Sequence, residues 1–252
     1  MNFYERWILP PILDLVMRQK HLTKYRRAVI AAARGRVLEI GVGSGLNLPL
    51  YGKQVELVYG LDPSARLLAI ARRRAAASAV PVDLLLGSAT AIPLADDSID
   101  TVVMTWTLCS IPDPLAALRE MRRVLKADGT LCFVEHGLSP EPGIELWQHR
   151  ITPAWRRMAG GCHLDRKIDE LVRVAGFDLT SLQAEYAPGP RTMSYMYEGC
   201  ACRSHSGGIG SPVSADRGGP SLPAEPCWRR DRRPDNVVAA PRVPVEPMPI
   251  RR

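Results

Sequence analysis

Residues 37–45 read Val-Leu-Glu-Ile-Gly-Val-Gly-Ser-Gly, an apolar run that carries one acid and ends in glycines at alternate positions, Gly41, Gly43 and Gly45. A second apolar run, Leu57 to Leu61, delivers Asp62, 21 positions after Gly41. The first run predicts a buried strand. Its glycines let the backbone turn tightly and approach a ligand that a Cβ would push away. The helix start that follows offers unpaired N–H groups to an anionic group. An acid at the end of the next strand accepts hydrogen bonds from ribose hydroxyls. Together these features describe a nucleoside site.

The glycine spacing narrows the ligand. Dinucleotide sites use G-x-G-x-x-G, whereas this chain has E-x-G-x-G-x-G, with Glu39 inside the strand end. The pattern resembles motif I of the class I S-adenosylmethionine methyltransferases. In that family the acid and glycines hold the methionyl part of the cofactor, which carries an ammonium and no phosphate. A Gly-rich loop with no ligand is the alternative, and the placement of Asp62 weighs against it.

Strand and helix patterns alternate along the chain. Residues 1–34 read as two helices, broken at Pro10-Pro11, with Thr23 as the N-cap of the second. Strands are expected at 36–40, 56–61, 82–86, 99–104 and 130–135. Helices are expected at 64–77, from 115 to 125 and at 165–175, with Lys126-Ala127-Asp128-Gly129 as a helix stop and turn. Residues 137–164 read as irregular. Two further strands, 179–186 and 193–199, flank Pro188-Gly189-Pro190 and predict an antiparallel hairpin. The resulting fold class is α/β. The family resemblance implies a Rossmann-like methyltransferase fold: a mostly parallel seven-stranded sheet with an antiparallel C-terminal hairpin.

The expected organisation is an N-terminal helical lid at 1–34, a cofactor-binding domain at 35–200 and a Pro/Arg-rich tail at 204–252. The last 52 residues hold nine of the 22 prolines and no hydrophobic periodicity, which predicts disorder. Translation in a shifted reading frame of a GC-rich gene is a second explanation of that composition.

Other segments carry the family resemblance further. Gly87-Ser88-Ala89 follows the third strand, where the family contacts adenine, often through an Asp at the position of Ser88. The resemblance therefore implies Glu39, Gly41, Gly43, Gly45, Asp62, Ser88, Ala89 and Thr105 as cofactor-binding residues. Trp106 and Cys109, in the loop after the fourth strand, are expected in the substrate cleft. His136, at the end of the fifth strand, and His163 are candidate catalytic groups, able to orient or deprotonate a nucleophile near neutral pH. A structural histidine or a core tryptophan is the plainer alternative in each case.

Leu108-Cys109-Ser110, Val134-Glu135-His136, Gly160-Gly161-Cys162-His163-Leu164-Asp165-Arg166 and Tyr195-Met196-Tyr197-Glu198-Gly199 point to a narrower group. They resemble the animal methyltransferase-like thiol methyltransferases and, equally, bacterial phospholipid and quinone methyltransferase-type proteins. The resemblance covers about residues 1–200. It implies methyl transfer to a small apolar nucleophile, with a thiol favoured. A phosphatidylethanolamine amine or a quinone ring is the alternative acceptor, and a S-adenosylmethionine-binding scaffold is the non-enzyme reading.

Composition excludes several classes. No apolar run reaches the ~18 residues of a membrane span, and the start lacks a secretory signal pattern. The six cysteines contain no C-x-x-C pair, and Cys109 and Cys132 sit in apolar surroundings. Buried thiols in a reducing cytoplasm are expected, and no metal, since Cys162 and His163 have no further ligands at metal spacing. The +7 formal charge forms no dense patch, so no nucleic-acid partner is expected. No Tyr-x-x-x-Lys pair supports a dehydrogenase. The apolar stripe from Trp7 to Val16 is expected to cover the acceptor cleft, with peripheral membrane contact as the alternative.

Overall fold

A computed structural model of the chain describes residues 7–204. A seven-stranded sheet forms its centre. The strands are β1 (Gly35–Ile40), β2 (Val55–Asp62), β3 (Val82–Leu86), β4 (Ile99–Thr105), β5 (Leu125–His136), β6 (Phe177–Tyr186) and β7 (Tyr195–Arg203). Their spatial order is β3-β2-β1-β4-β5-β7-β6. Strands β1 to β5 pair in parallel, and β7 runs antiparallel between β5 and β6. The order reverses between β1 and β4, and in such sheets ligands bind where strand order reverses, beyond the carboxyl ends of the strands.

The helices are α1 (Leu9–Val16), α2 (Lys20–Ala31), α3 (Ala65–Ala76), α4 (Pro114–Val124), α5 (Pro142–Met158) and α6 (Ile168–Val174). They cover both faces of the sheet, so successive strand residues feed two cores. Leu38, Ile40, Val102, Met104, Leu131 and Phe133 pack with Leu118 and Met121 of α4 and Ile168 of α6. Their neighbours Val37, Val103, Cys132 and Val134 pack with Tyr25, Val29 and Ile30 of α2 and Leu68 of α3. Burial on both faces is why these strands read as continuous apolar runs rather than alternating ones.

Local capping matches the sequence at two helices. Ser64 caps α3 by accepting from the Leu67 N–H, and Asp113 caps α4 by accepting from Ala116. Several expectations are corrected. Pro10 and Pro11 do not break a helix; they sit in the first turn of α1, where a missing N–H costs nothing. Thr23 lies inside α2, which starts at Lys20. Residues 126–129 belong to β5, which begins at Leu125 opposite Ile99 and has an irregularity before Thr130.

The largest correction concerns 137–164, read as irregular. Most of it is α5, 17 residues long. Pro142 starts it at a position where proline is favoured. Pro153 masked its period, although it lies on the exposed side of the helix while Gln148 and Thr152 are buried. The expected N-terminal lid divides in two: α2 is a core helix on the sheet, and Leu9, Pro10 and Leu13 of α1 face a cavity. The tail expected to be disordered lies, apart from Ser204, outside the described residues.

Candidate functional site

A cavity of about 590 Å³ opens at the strand-order reversal, beyond the carboxyl ends of β1 to β4. Gly41, Gly43, Asp62, Ser88, Ala89, Thr105 and Trp106 all line it. Gly41, Gly43 and Gly45 all have positive φ, but for different reasons. A Cβ on Gly41 would collide with the Thr107 side chain, and one on Gly45 would reach Leu48 Cδ1 at 2.8 Å. A Cβ on Gly43 meets only Gly41 O, at 3.8 Å, because it would point into open space. Two glycines therefore close the loop against the protein, and the middle one leaves room beside the cavity.

Asp62 connects this loop to β2. Its Oδ2 accepts from the Gly43 N–H at 2.9 Å and its Oδ1 from the Ser64 N–H at 2.8 Å. Burial pushes its carboxyl up from the usual aspartate range, partly opposed by those two N–H groups. Each oxygen keeps acceptor capacity toward the cavity. Ser88 Oγ lies 2.8 Å from Thr90 Oγ1 and accepts from the Thr90 N–H.

Glu39 lies beneath the cavity rather than on its wall. Its carboxylate accepts from Asn47 Nδ2 at 2.9 Å and from the Tyr51 hydroxyl at 2.8 Å. Asn47 also donates to Thr105 Oγ1 at 3.1 Å, and its Oδ1 accepts from Arg26 Nη1 at 2.8 Å. Arg26 reaches the cavity wall and stacks 4.8 Å from the Trp106 ring centroid. Arg26, Asn47 and Tyr51 were not singled out from sequence. Arg26 had a detectable signal: it falls within the buried stripe Leu22, Tyr25, Val29 and Ile30 of α2.

Complete burial raises the Glu39 carboxyl from 4.5 to about 7, against the Tyr51 hydrogen bond and the Arg26 charge. A raised folded-state value means that the folded protein holds this proton more tightly than the unfolded chain. The contribution is fully favourable below about pH 4.5 and is lost as pH rises to about 7. Glu39→Gln keeps an acceptor for Asn47 and has no proton to lose. Its stability relative to the parent should therefore rise between pH 4.5 and pH 8, by up to about 3 kcal/mol. Urea unfolding of the ligand-free proteins at both pH values measures this, and parallel pH profiles would contradict it.

The loop after β4 is held from below by Glu135, which carries no sequence signal of a site. Glu135 is fully buried. Its Oε1 accepts from the N–H groups of Thr107 (2.7 Å) and Leu108 (2.9 Å), and its Oε2 from that of Cys109 (3.4 Å). Burial raises its carboxyl, with the three N–H groups and His136 opposing. Just before this clamp, Trp106 has φ +53°, an unusual conformation for a bulky residue. Its indole N–H donates to Met196 Sδ at 3.5 Å, and Tyr25 meets its ring edge-on. Trp106 thus walls the cavity and packs on the core at once.

Neither candidate histidine lines the cavity, nor does Cys109. His136 Nε2 lies 3.0 Å from Cys162 Sγ. His163 stands beside Asp165, its ring nitrogen 3.6 Å from a carboxylate oxygen, and burial together with Arg166 and Arg156 lowers its basicity. Cys109 and Cys162 are buried free thiols. Linear spacing offered no metal-ligand pattern, yet Cys109, His136 and Cys162 bring their ligand atoms within 4.8 Å of one another.

A family described as "Methyltransferase domain" matches residues 38–133. Human thiol S-methyltransferase TMT1B is 32% identical over 170 residues, covering 64% of this chain and 67% of that protein. The phosphatidylethanolamine N-methyltransferase of Cereibacter sphaeroides is 36% identical over 137 residues, 53% of this chain and 66% of that protein. A demethylmenaquinone methyltransferase of Renibacterium salmoninarum is 33% identical over 124 residues, 48% of this chain and 51% of that protein. The matched regions thus span between half and two thirds of these relatives' lengths. Among solved structures, a SAM-dependent methyltransferase of Thermotoga maritima shares the fold, with TM-score 0.57 and 24% identity over 80% of this chain and 98% of that one.

Proposed function

The chain belongs to the S-adenosylmethionine-dependent methyltransferases, and from that membership we propose that it methylates a small apolar nucleophile, with a thiol favoured. S-adenosylmethionine, when bound, supplies a methyl group made electrophilic by its sulfonium. The cavity fits that cofactor: Asp62 offers ribose-accepting oxygens, the space before Gly43 admits a ligand close to the backbone, and Ser88 and Ala89 extend the wall toward the adenine position. Thr105 and Arg26 supply the polar end. On the acceptor side, Leu9, Leu13, Met17, Trp106, Ile111 and Pro112 exclude water and restrict the orientation of the nucleophile.

One observation carries the choice of thiol. Among the described residues the ionisable groups lining the cavity are Asp14, Arg26 and Asp62. Asp14 is paired with Arg74 and Arg18, and Asp62 holds Gly43 and Ser64. Among the described residues, none of these groups stands free to take a proton from the acceptor. A thiol, with a pKa of ~8.5, ionises appreciably without a base, whereas an ammonium must lose a proton before it can attack. His136 and His163 receive no proton-transfer role in this reading. The human relative is named for thiol transfer and the Cereibacter relative for phosphatidylethanolamine transfer, which keeps both acceptors in view.

Purified protein offered an alkyl thiol, phosphatidylethanolamine or a demethylquinone, with S-adenosylhomocysteine formation as readout, tests the proposal. Turnover with the thiol supports it. Transfer only to the lipid or the quinone would move the acceptor to that class. Asp62→Ala should weaken S-adenosylmethionine binding by roughly 1.5–3 kcal/mol, more than tenfold, through loss of charge-assisted hydrogen bonds. Calorimetry giving unchanged affinity in the folded variant would remove Asp62 from the site.

The outer face of α1 supports a second element of the proposal, contact with a membrane surface. Ile12, Leu15 and Val16 are exposed there, with Trp7 and Ile8 exposed just before the helix and Arg66 over the Trp7 ring, and Leu9 and Leu13 face the cavity. No helix among the described residues is long and apolar enough to cross a membrane. Co-flotation with anionic vesicles is expected; its absence would leave α1 as a cavity lid alone.

A further inference from the structure

Three of the stretches that distinguish this sequence, 108–110, 134–136 and 160–166, are far apart in the chain and meet at one point. Cys109 lies in the loop after β4, His136 ends β5, and Cys162 sits in the turn after α5. Their sulfur and ring-nitrogen atoms lie within 4.8 Å of one another. We propose that Cys109, His136 and Cys162 form a zinc-binding site, two thiolates and one imidazole around a single ion. The inference stands independently of the methyl acceptor.

The donor set suits that ion. Two cysteines and a histidine are the borderline-soft ligands zinc selects, and three protein ligands leave a fourth position for water or another donor. At zinc–sulfur and zinc–nitrogen distances of about 2.3 and 2.0–2.1 Å, tetrahedral ligand atoms stand about 3.3–3.8 Å apart. The present separations reach that range with shifts of about 1 Å or less. The charge also balances. As the ion binds, each thiol gives its proton to solvent, and two thiolates neutralise the dication.

The surroundings look prepared for such a centre. Trp155 Nε1 donates to Cys162 Sγ at 3.3 Å, a contact that favours a thiolate. The Cys109 backbone is fixed at both ends: its N–H is held by Glu135, and its carbonyl accepts from the His163 N–H at 2.8 Å. His136 turns Nε2, the nitrogen that would ligate the ion, toward Cys162 Sγ at 3.0 Å. Ser110 and Gly161, the neighbours of the two cysteines, line the cavity. An ion here would tie the turn after α5 to the carboxyl edge of the sheet.

The test uses the full chain, reduced with a phosphine, stripped of metal and titrated with Co²⁺. One equivalent should give thiolate-to-cobalt charge-transfer and tetrahedral d–d absorption, lost on adding one equivalent of Zn²⁺. Two protons per ion should be released. Cys109→Ser and Cys162→Ser, each checked for folding by circular dichroism, should weaken binding about a hundredfold, whereas Cys132→Ser should not change it. Absence of the charge-transfer band in the parent protein overturns the proposal without reference to any variant. Equal bands in a folded Cys109→Ser/Cys162→Ser double variant overturn it as well, because the ion would then lie elsewhere.

Discussion

In a Gly43→Val variant, S-adenosylmethionine affinity is expected to fall at least about a hundredfold, a loss of about 2.7 kcal/mol or more, while the sheet stays folded. Gly43 has φ +54°, a region that costs a β-branched residue on the order of 1–2 kcal/mol. The new side chain would extend into the cavity, since among the described residues, its chain neighbours apart, only Gly41 O lies within 4 Å of its first carbon. It would also disturb the N–H that holds Asp62 Oδ2. Binding calorimetry together with circular dichroism reads both halves of the prediction. Gly41→Ala is the contrasting variant: its Cβ collides with Thr107, so it should lose fold stability along with binding. A folded Gly43→Val protein that binds the cofactor normally would show that this loop does not contact it.

Glu135→Ala should cost several kcal/mol of stability without touching the cavity wall. Removing the carboxylate leaves the N–H groups of Thr107, Leu108 and Cys109 without their acceptor in the interior, at about 1–3 kcal/mol each. Against a typical total of about 5–15 kcal/mol, that is a large fraction. Glu135→Gln keeps one acceptor oxygen and should fall between the parent and the alanine variant. Urea unfolding measures the series. An alanine variant within about 1 kcal/mol of the parent would mean that the loop satisfies its donors by other means. The same loop begins at Trp106, directly after Thr105 at the end of β4, so weaker cofactor binding is expected to accompany the loss of stability.

The centre of the sheet was legible in the sequence because β1, β4 and the second half of β5 are buried on both faces and so read as apolar runs ending in turn residues. Asp62 and the three glycines were legible for a related reason: their chemistry is local, set by strand ends and by backbone conformations that only glycine adopts cheaply. Helix α5 was not legible. Pro153 interrupts its pattern, and its buried positions include the polar Gln148 and Thr152, which hydrogen-bond instead of alternating by hydropathy.

What the sequence by itself determined is the strand–loop–acid arrangement of Glu39, Gly41, Gly43, Gly45 and Asp62, since each depends on neighbours only a few residues away or on a strand end. Tertiary structure alone decided that Arg26, from a helix expected to form part of a lid, pairs with Asn47 and shares the cavity wall with Thr105. It also decided that Glu135 serves the loop after β4, and that Cys109, His136 and Cys162 converge. Those contacts join segments about 20 to more than 50 residues apart. A buried charge is stable only beside its partner, and no local pattern in the chain names a partner that folding must bring from elsewhere.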